Sequence, residues 1–315
     1  MHRKISQLTT NFSHHFARYL RATTHFDVGN WTLDVYLEIP FSMESRLMPR
    51  KELSQMGSAQ VFLTEKEGLK VIEKRNPTQV EVAFYQNQSA KFNQQGILVP
   101  EFIGFDAEQN TLWIEYIPHP VDQAFLLQDP RVLRRLAQIH QTPQPTNNAI
   151  FKSHTWTDEA TTSAFETLHL DAQTEAHLRR LQTQAKCLFK PQTLLSGDSN
   201  AGNWGLRDNG ELVLFDWERF STGHPAIDLS PLVAGMGTME DYKQVAKQYI
   251  AMGGKGIESE ITTAVLLAKT WIVIEVTNLL VSRNNPQASK YIEWFRQTLP
   301  KWCKSVSLEA GLAER

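Results

Sequence analysis

The residues with the clearest chemical content lie between positions 196 and 216. Ser196-Gly197-Asp198 opens a polar stretch that reaches Asn203, and Asp216 closes the apolar run Leu212-Val213-Leu214-Phe215. Between them, Asp208-Asn209-Gly210 is a turn signal flanked by two short apolar segments, the pattern of a β-hairpin. Such a hairpin sets Asn203 near its start and Asp216 near its end, so an amide oxygen and a carboxylate can converge on one point. Both are hard donors suited to Mg²⁺, which typically takes one or two protein carboxylates and keeps its other positions for phosphate and water. Asp198 sits in the loop just before. With 12 Asp and 14 Asn in 315 residues, an Asp followed by Asn five places on is roughly an even chance. Alone, that pair reads as an ordinary polar turn. The strand-borne Asp216 beyond it makes the signal.

The elements that must position these residues can be read from periodicity. Phe12, Phe16 and Leu20 recur every four residues and predict a helical extension over 1–25, and partial alternation predicts a strand within 30–40. The loop Met56-Gly57-Ser58-Ala59 leads into a hairpin of Gln60–Thr64 and Leu69–Lys74 around a Gly-containing turn. Pro77 and Thr78 open a helix with apolar residues Val80, Ala83, Phe84 and Phe92. Two further strands are expected over 97–105 and 111–117, before the stiff Pro118-His119-Pro120, which cannot continue a central strand. Beyond it the texture is helical. One amphipathic stretch carries Leu136-Ala137-Gln138-Ile139-His140, helices follow over 157–187, and a β segment at 193–217 interrupts them. No internal repeat is found.

Apolar residues make up 41% of the chain, charged residues 21%, and the formal net charge is −2. That excludes a disordered polyelectrolyte. Lys+Arg and Asp+Glu number 12 and 13 in residues 1–117 and 20 and 21 in the rest. Neither part is a basic footprint, and no nucleic-acid partner is expected. Two cysteines 116 positions apart rule out a disulfide scaffold and a cysteine-rich zinc site, favouring a reducing, cytoplasmic setting. The histidines show no metal-ligand spacing. The apolar run from Ala264 to Val281 contains Lys269 and Glu275, so a buried helix is expected rather than a membrane span. Residues 1–26 lack the continuous apolar run of a secretory signal. Their Arg, Lys, Ser and Thr content leaves a transit peptide as an alternative to an amphipathic helix.

Taken in order, these motifs resemble the aminoglycoside phosphotransferase and choline kinase group, small-molecule kinases with a protein-kinase-like fold. The resemblance spans roughly residues 50–235. Ser196-Gly197-Asp198 with Asn203 is similar to the group's His-Gly-Asp-x-x-x-x-Asn stretch, and Phe215-Asp216-Trp217-Glu218 to its metal-binding strand end. Gly223-His224-Pro225-Ala226-Ile227-Asp228-Leu229 matches a further stretch, and the helix ending in Ile139-His140 has a counterpart. The resemblance implies an α+β, two-lobed fold. A small antiparallel β-sheet lobe with one main helix would occupy residues 1–117, and a larger, mostly helical lobe 118–315, with ATP between them.

The resemblance also implies roles. Lys74 would clamp the α/β-phosphates and Glu81 would hold that ammonium. Lys70 competes on the same strand face, but Lys74 ends the strand as the group's lysine does. Asp198 would be the catalytic carboxylate, and Asn203 and Asp216 would hold Mg²⁺. Gly57 and Ser58 would lay backbone amides over the phosphates. Glu115 and Ile117 would meet the purine through backbone groups, leaving GTP open beside ATP. The implied partners are a nucleotide and a small-molecule hydroxyl acceptor of aminoglycoside, choline or similar type, with no membrane and an undetermined oligomeric state. Trp204, Trp217 and Trp271 are expected in the core, Asp228 as a buried cap of loops, and Glu218 only secondarily as a cation contact. Ser196 replaces the group's loop-bracing His. That departure keeps open a second reading, a catalytically weak or inactive nucleotide-binding protein. A protein kinase is disfavoured because no Ala-Pro-Glu lies between Asp216 and Asp228.

Overall fold

The computed structural model describes residues 51–53, 59–145 and 149–309. The helix expected within 1–25, the strand expected within 30–40, and Gly57 and Ser58 lie outside the described residues. The described chain begins with strands β1 (Lys51–Leu53), β2 (Gln60–Lys66) and β3 (Leu69–Arg75). Glu67 and Gly68 alone connect β2 to β3, both with positive φ (53° and 79°). A two-residue turn of this hand matches the twist of the flanking strands, and Gly68 adopts it without steric cost.

Thr78 caps helix α1 (Gln79–Asn87), its Oγ1 accepting from Glu81 N at 3.2 Å. The predicted single helix breaks at Gln88 and resumes as α2 (Ser89–Gln94). Ser89 Oγ turns back on Tyr85 O there (2.7 Å), the local competition by which Ser disfavours an uninterrupted helix. Strands β4 (Phe102–Asp106) and β5 (Thr111–Glu115) complete a fully antiparallel sheet of order β1-β2-β3-β5-β4.

Two expected strands are shorter than the pattern suggested. Residues 97–100 form no strand, because Val99 N donates to Asn93 Oδ1 (2.9 Å) and Pro100 has no N–H to give. The final strand stops at Glu115 rather than Ile117. The stiff dipeptide His119–Pro120 then forms β6, an edge strand of a separate three-stranded sheet, a place Pro tolerates.

Helices α3 (Gln123–Gln128), α4 (Pro130–Gln141), α5 (Asp158–Leu168) and α6 (Ala172–Gln184) follow, then β7 (Thr193–Leu195), β8 (Trp204–Leu206), β9 (Leu212–Leu214) and β10 (Ser221–Gly223). The chain continues through α7 (Ala226–Leu229), α8 (Met239–Ala251), α9 (Glu258–Ser282) and α10 (Ala288–Glu309). By length and composition α9 could cross a membrane, yet 61% of its most apolar window is buried within the protein. It packs against α5, α6, α7, α8 and α10. Its two charges find partners there: Lys269 Nζ donates to the Val233 and Ser230 carbonyls, and Glu275 pairs with Arg219. Trp204, Trp217 and Trp271 are all buried as expected. Cys187 and Cys303 are free thiols.

Candidate active site

Strand β3 delivers Lys74 to the middle of the sheet, opposite Val61 on one side and Leu112 on the other. Only 6% of the residue is exposed. Lys70, four places earlier on the same face, is exposed near the hairpin turn. Lys74 Nζ contacts Glu81 Oε1 at 2.5 Å and Asp216 Oδ1 at 2.9 Å. Burial alone would lower the Lys74 pKa, but Asp216 and Glu81 outweigh it and raise it above the ordinary lysine value. Burial pushes the Glu81 carboxyl upward, with Lys74 pulling it back.

The hairpin brings the next two residues together. Trp204 pairs with Leu214, and Phe215 N donates to Asn203 O at 2.9 Å, so Asn203 and Asp216 flank the same end of the ladder. Asp216 has φ +65°, a left-handed conformation uncommon outside glycine but accessible to Asp. That twist turns the chain sharply after β9 and sets Asp216 on Lys74. The next residue, Trp217, stacks on Phe84 with ring centroids 4.0 Å apart and planes 5° from parallel. Phe84 lies one turn beyond Glu81 on α1, so one ring pair fastens the helix that carries Glu81 to the segment that carries Asp216.

The loop holding Asp198 is built around Asp228, which is completely buried. Its carboxylate accepts from Ser196 N (2.8 Å), Ser196 Oγ (3.0 Å) and Gly197 N (2.8 Å), and contacts His140 Nε2 at 3.2 Å. His140 Nδ1 reaches Tyr249 OH at 2.9 Å. Asp228 is thus the loop cap expected from the sequence, and Ser196 supplies bracing bonds of its own. Gly197 has φ +78°, and a Cβ there would lie 2.1 Å from the Arg219 carbonyl oxygen. Only glycine fits.

Asp198 itself is half-buried and accepts from Asn200 Nδ2 at 2.5 Å. Desolvation pushes its carboxyl up to about 6, with Asp216 and Glu218 adding to the effect and Arg219 and Asn200 opposing it. Asn203 Nδ2 donates to the Asp198 carbonyl at 2.8 Å, leaving Oδ1 as a ligand atom. Asp216 keeps Oδ2 beside the oxygen that Lys74 holds. This donor set suits a hard divalent cation bound mainly through its other ligands.

Asp198, Asn203 and Asp216 line one cavity of about 430 Å³, with Lys269, Trp271 and Glu275 of α9 also on its wall. Arg219 lies between, donating Nε to Gly197 O (3.0 Å) and Nη2 to Glu275 (2.6 Å). Burial lowers Lys269 to about 8. Arg219, Lys269 and Glu275 were not singled out as site residues from the sequence. The only hint was the pair of charges interrupting an apolar helix.

Lys74, Glu81, Asp198, Asn203 and Asp216 are therefore gathered, through Asp216, into one site. Glu115 and Ile117 are not part of this cavity. The Glu115 carboxylate is engaged by Arg207 Nε and Nη2, both at 2.7 Å, and its N–H donates to Glu101 O. Ile117 lies against Gly205 of β8. Their side chains fasten the sheet to the β8–β9 hairpin.

An antiparallel sheet ahead of a helical region, with a buried Lys–Glu pair meeting an Asp–Asn hairpin end, defines a protein-kinase-like phosphotransferase fold of the α+β class. The chain belongs to the phosphotransferase enzyme family, which matches residues 51–261. No curated protein matches the sequence. Among solved structures, the choline kinase LicA from Streptococcus pneumoniae is similar at 17% identity and TM-score 0.55, over 82% of this chain and 94% of that one. A choline kinase from Cryptosporidium parvum is similar at 12% identity and TM-score 0.58, over 86% and 92%. Aminoglycoside 2'-phosphotransferase-IIIa, solved as its GDP complex, is similar at 14% identity and TM-score 0.57, over 82% and 94%. At such identities the likeness is one of fold.

Proposed function

We propose that this protein is a small-molecule kinase that moves the γ-phosphoryl group of ATP to a hydroxyl of an acceptor seated between the Asp198 loop and α9. The observation that carries this reading is the Lys74 ammonium held between Glu81 and Asp216, with Asp216, Asn203 and Asp198 on one cavity wall. Lys74 neutralises charge on the α/β-phosphates, and Glu81 keeps it in position. Asp198 takes the acceptor's hydroxyl proton as that oxygen bonds to the γ-phosphorus and the bond to the bridging oxygen breaks, releasing ADP. Asn203 and Asp216 would hold Mg²⁺, which supplies further charge neutralisation at the phosphates when bound. Positioning and electrostatics do most of the work, because the loose transition state asks for little covalent help.

A LicA structure was solved with AMP and the aminoglycoside 2'-phosphotransferase-IIIa structure with GDP, which supports a purine nucleotide. The nucleotide cleft then falls between residues up to 117 and those from 118, with purine contacts from the backbone of Glu115 and Ile117 and phosphate contacts from Gly57 and Ser58. Choline- and aminoglycoside-type alcohols are the first acceptors to try, and two free thiols are in keeping with a cytoplasmic enzyme. The bonds from Ser196 to Asp228 favour catalysis over nucleotide binding alone, since the loop is braced without the group's histidine.

The test is nucleoside diphosphate release, with ATP and GTP as donors, across a panel of amino alcohols, aminoglycosides, sugars and nucleosides. Release that requires one acceptor class supports the proposal. Tight Mg·nucleotide binding without release for any acceptor supports the nucleotide-binding alternative.

A further inference from the structure

Three arginines line a second cavity, of about 330 Å³, formed by α4, residues 96–98 and the β8–β9 turn. Arg131, Arg134 and Arg135 stand at i, i+3 and i+4 of α4, spacing that gathers side chains on one helix face. Acids do not match their charge. Arg131 is paired with Asp129 (2.8 Å) and donates Nη1 to the Gly210 carbonyl (2.9 Å). Glu211, the carboxylate lining the cavity, is engaged by Arg207 at 3.0 Å.

Arg135 donates Nη1 to two neutral acceptors, the Gly96 carbonyl and Gln138 Oε1. Burial works against its charge, with Glu211 offsetting part of the effect and Arg207 adding to it. Among the described residues, neither Arg134 nor Arg135 has a carboxylate within the 4.0 Å of a salt bridge. The turn adds Asn209, whose Oδ1 accepts from Glu211 N (3.0 Å), leaving Nδ2 as a further donor. Two guanidiniums without acidic partners among the described residues and an amide donor, all lining one small cleft, suit a compact dianion. Guanidinium forks match the oxygens of phosphate bidentately.

We infer that this cleft binds a small phosphate-bearing dianion through Arg134, Arg135 and Asn209. The site is separate from the cavity that holds Asp198, and no step of the proposed reaction uses it. It nevertheless touches the same framework, because Leu98 O accepts from Leu214 N (3.3 Å), two residues before Asp216.

The test uses the full chain, without nucleotide, titrated calorimetrically with glycerol 2-phosphate, a simple phosphate monoester, and with glycerol as the uncharged control. Arg134→Ala is the decisive variant, because Arg134 is exposed and its side chain makes no hydrogen bond among the described residues. Any phosphate taken up near Lys74 contributes equally to both proteins, so the difference between them isolates this cleft. The expected result is a saturable event, absent with glycerol, that weakens at least tenfold in Arg134→Ala and less in Arg134→Lys. Identical isotherms for wild type and Arg134→Ala, or no saturable event in either, would overturn the inference. The outcome does not depend on whether the protein turns ATP over.

Discussion

On the sheet side of the site, Glu81 and Asp216 share one ammonium. On the loop side, Asp228 is held by two backbone N–H groups, a hydroxyl and an imidazole. The first arrangement is a charge balance that needs every member, because removing one ion leaves another buried without compensation. The second spreads one carboxylate over several donors, so a single lost bond leaves the others in place. Asp198 belongs to neither. It has the Asn200 amide and the more distant Arg219, and its carboxyl stays poised near 6. On the proposed mechanism, the contrast separates groups that fix geometry from the group that would exchange a proton.

The comparison can be broken most sharply at Asp198. Asp198→Ala is expected to lower kcat by about 10²–10⁴-fold, the range of a positioned general base, while Mg·nucleotide affinity stays within about twofold. Unchanged turnover would take the proton-exchanging role away from Asp198. Next in size, Lys74→Ala strands two carboxylates around an empty position. Chemical denaturation should show a loss of about 3–5 kcal/mol, and nucleotide binding should weaken with it. Asp228→Asn keeps the shape but replaces one acceptor oxygen by a donor. A smaller loss of about 1–3 kcal/mol is expected, and a loss exceeding that of Lys74→Ala would reverse the ranking of the two sides.

The pH profile sharpens the third role. Protonated below about 6, Asp198 cannot accept a proton, so kcat/KM should fall about tenfold per pH unit there. An acid limb centred near 4 would contradict the geometry. Stability responds with the opposite sign. The folded-state pKa lies above the usual carboxylate value, so the native state holds the extra proton between about 4 and 6, and this contribution is lost as pH rises through that window. Asp198→Asn should therefore raise the unfolding midpoint relative to wild type more at pH 8 than at pH 5. Smallest of all, Ser196→Ala removes one donor of several, and a cost of about 1 kcal/mol with kcat within tenfold is expected.

The sequence disclosed those parts of the site that are consequences of local geometry. A turn between two apolar segments placed Asn203 and Asp216 at one hairpin end, whereas the pairing of Lys74 with Glu81 came from the family resemblance, since a lysine near a glutamate reads by itself as a surface pair. Asp228 reads as a buried cap of neighbouring loops rather than a catalyst, and its carboxylate does hold the Ser196–Gly197 loop. What escaped depends on how distant segments pack. Nothing local to Lys269 or Glu275 says that α9 walls the cavity, or that Arg219 joins it to the loop. The break at Gln88 was hidden because an apolar stripe runs through both halves of the helix. The strand expected over 97–105 begins only at Phe102 because Asn93, a residue of the preceding helix, claims the Val99 N–H.

The Phe84–Trp217 stack has a mechanical consequence. Swinging α1 outward would drag a large aromatic pair out of face-to-face contact within the surrounding cluster of Phe92 and Phe220, forfeiting packing worth about 0.5–1.5 kcal/mol per ring pair beyond simple burial. Acting as a latch, the pair ties the position of Glu81 on α1 to that of Asp216, so a displacement of either segment is felt by the other.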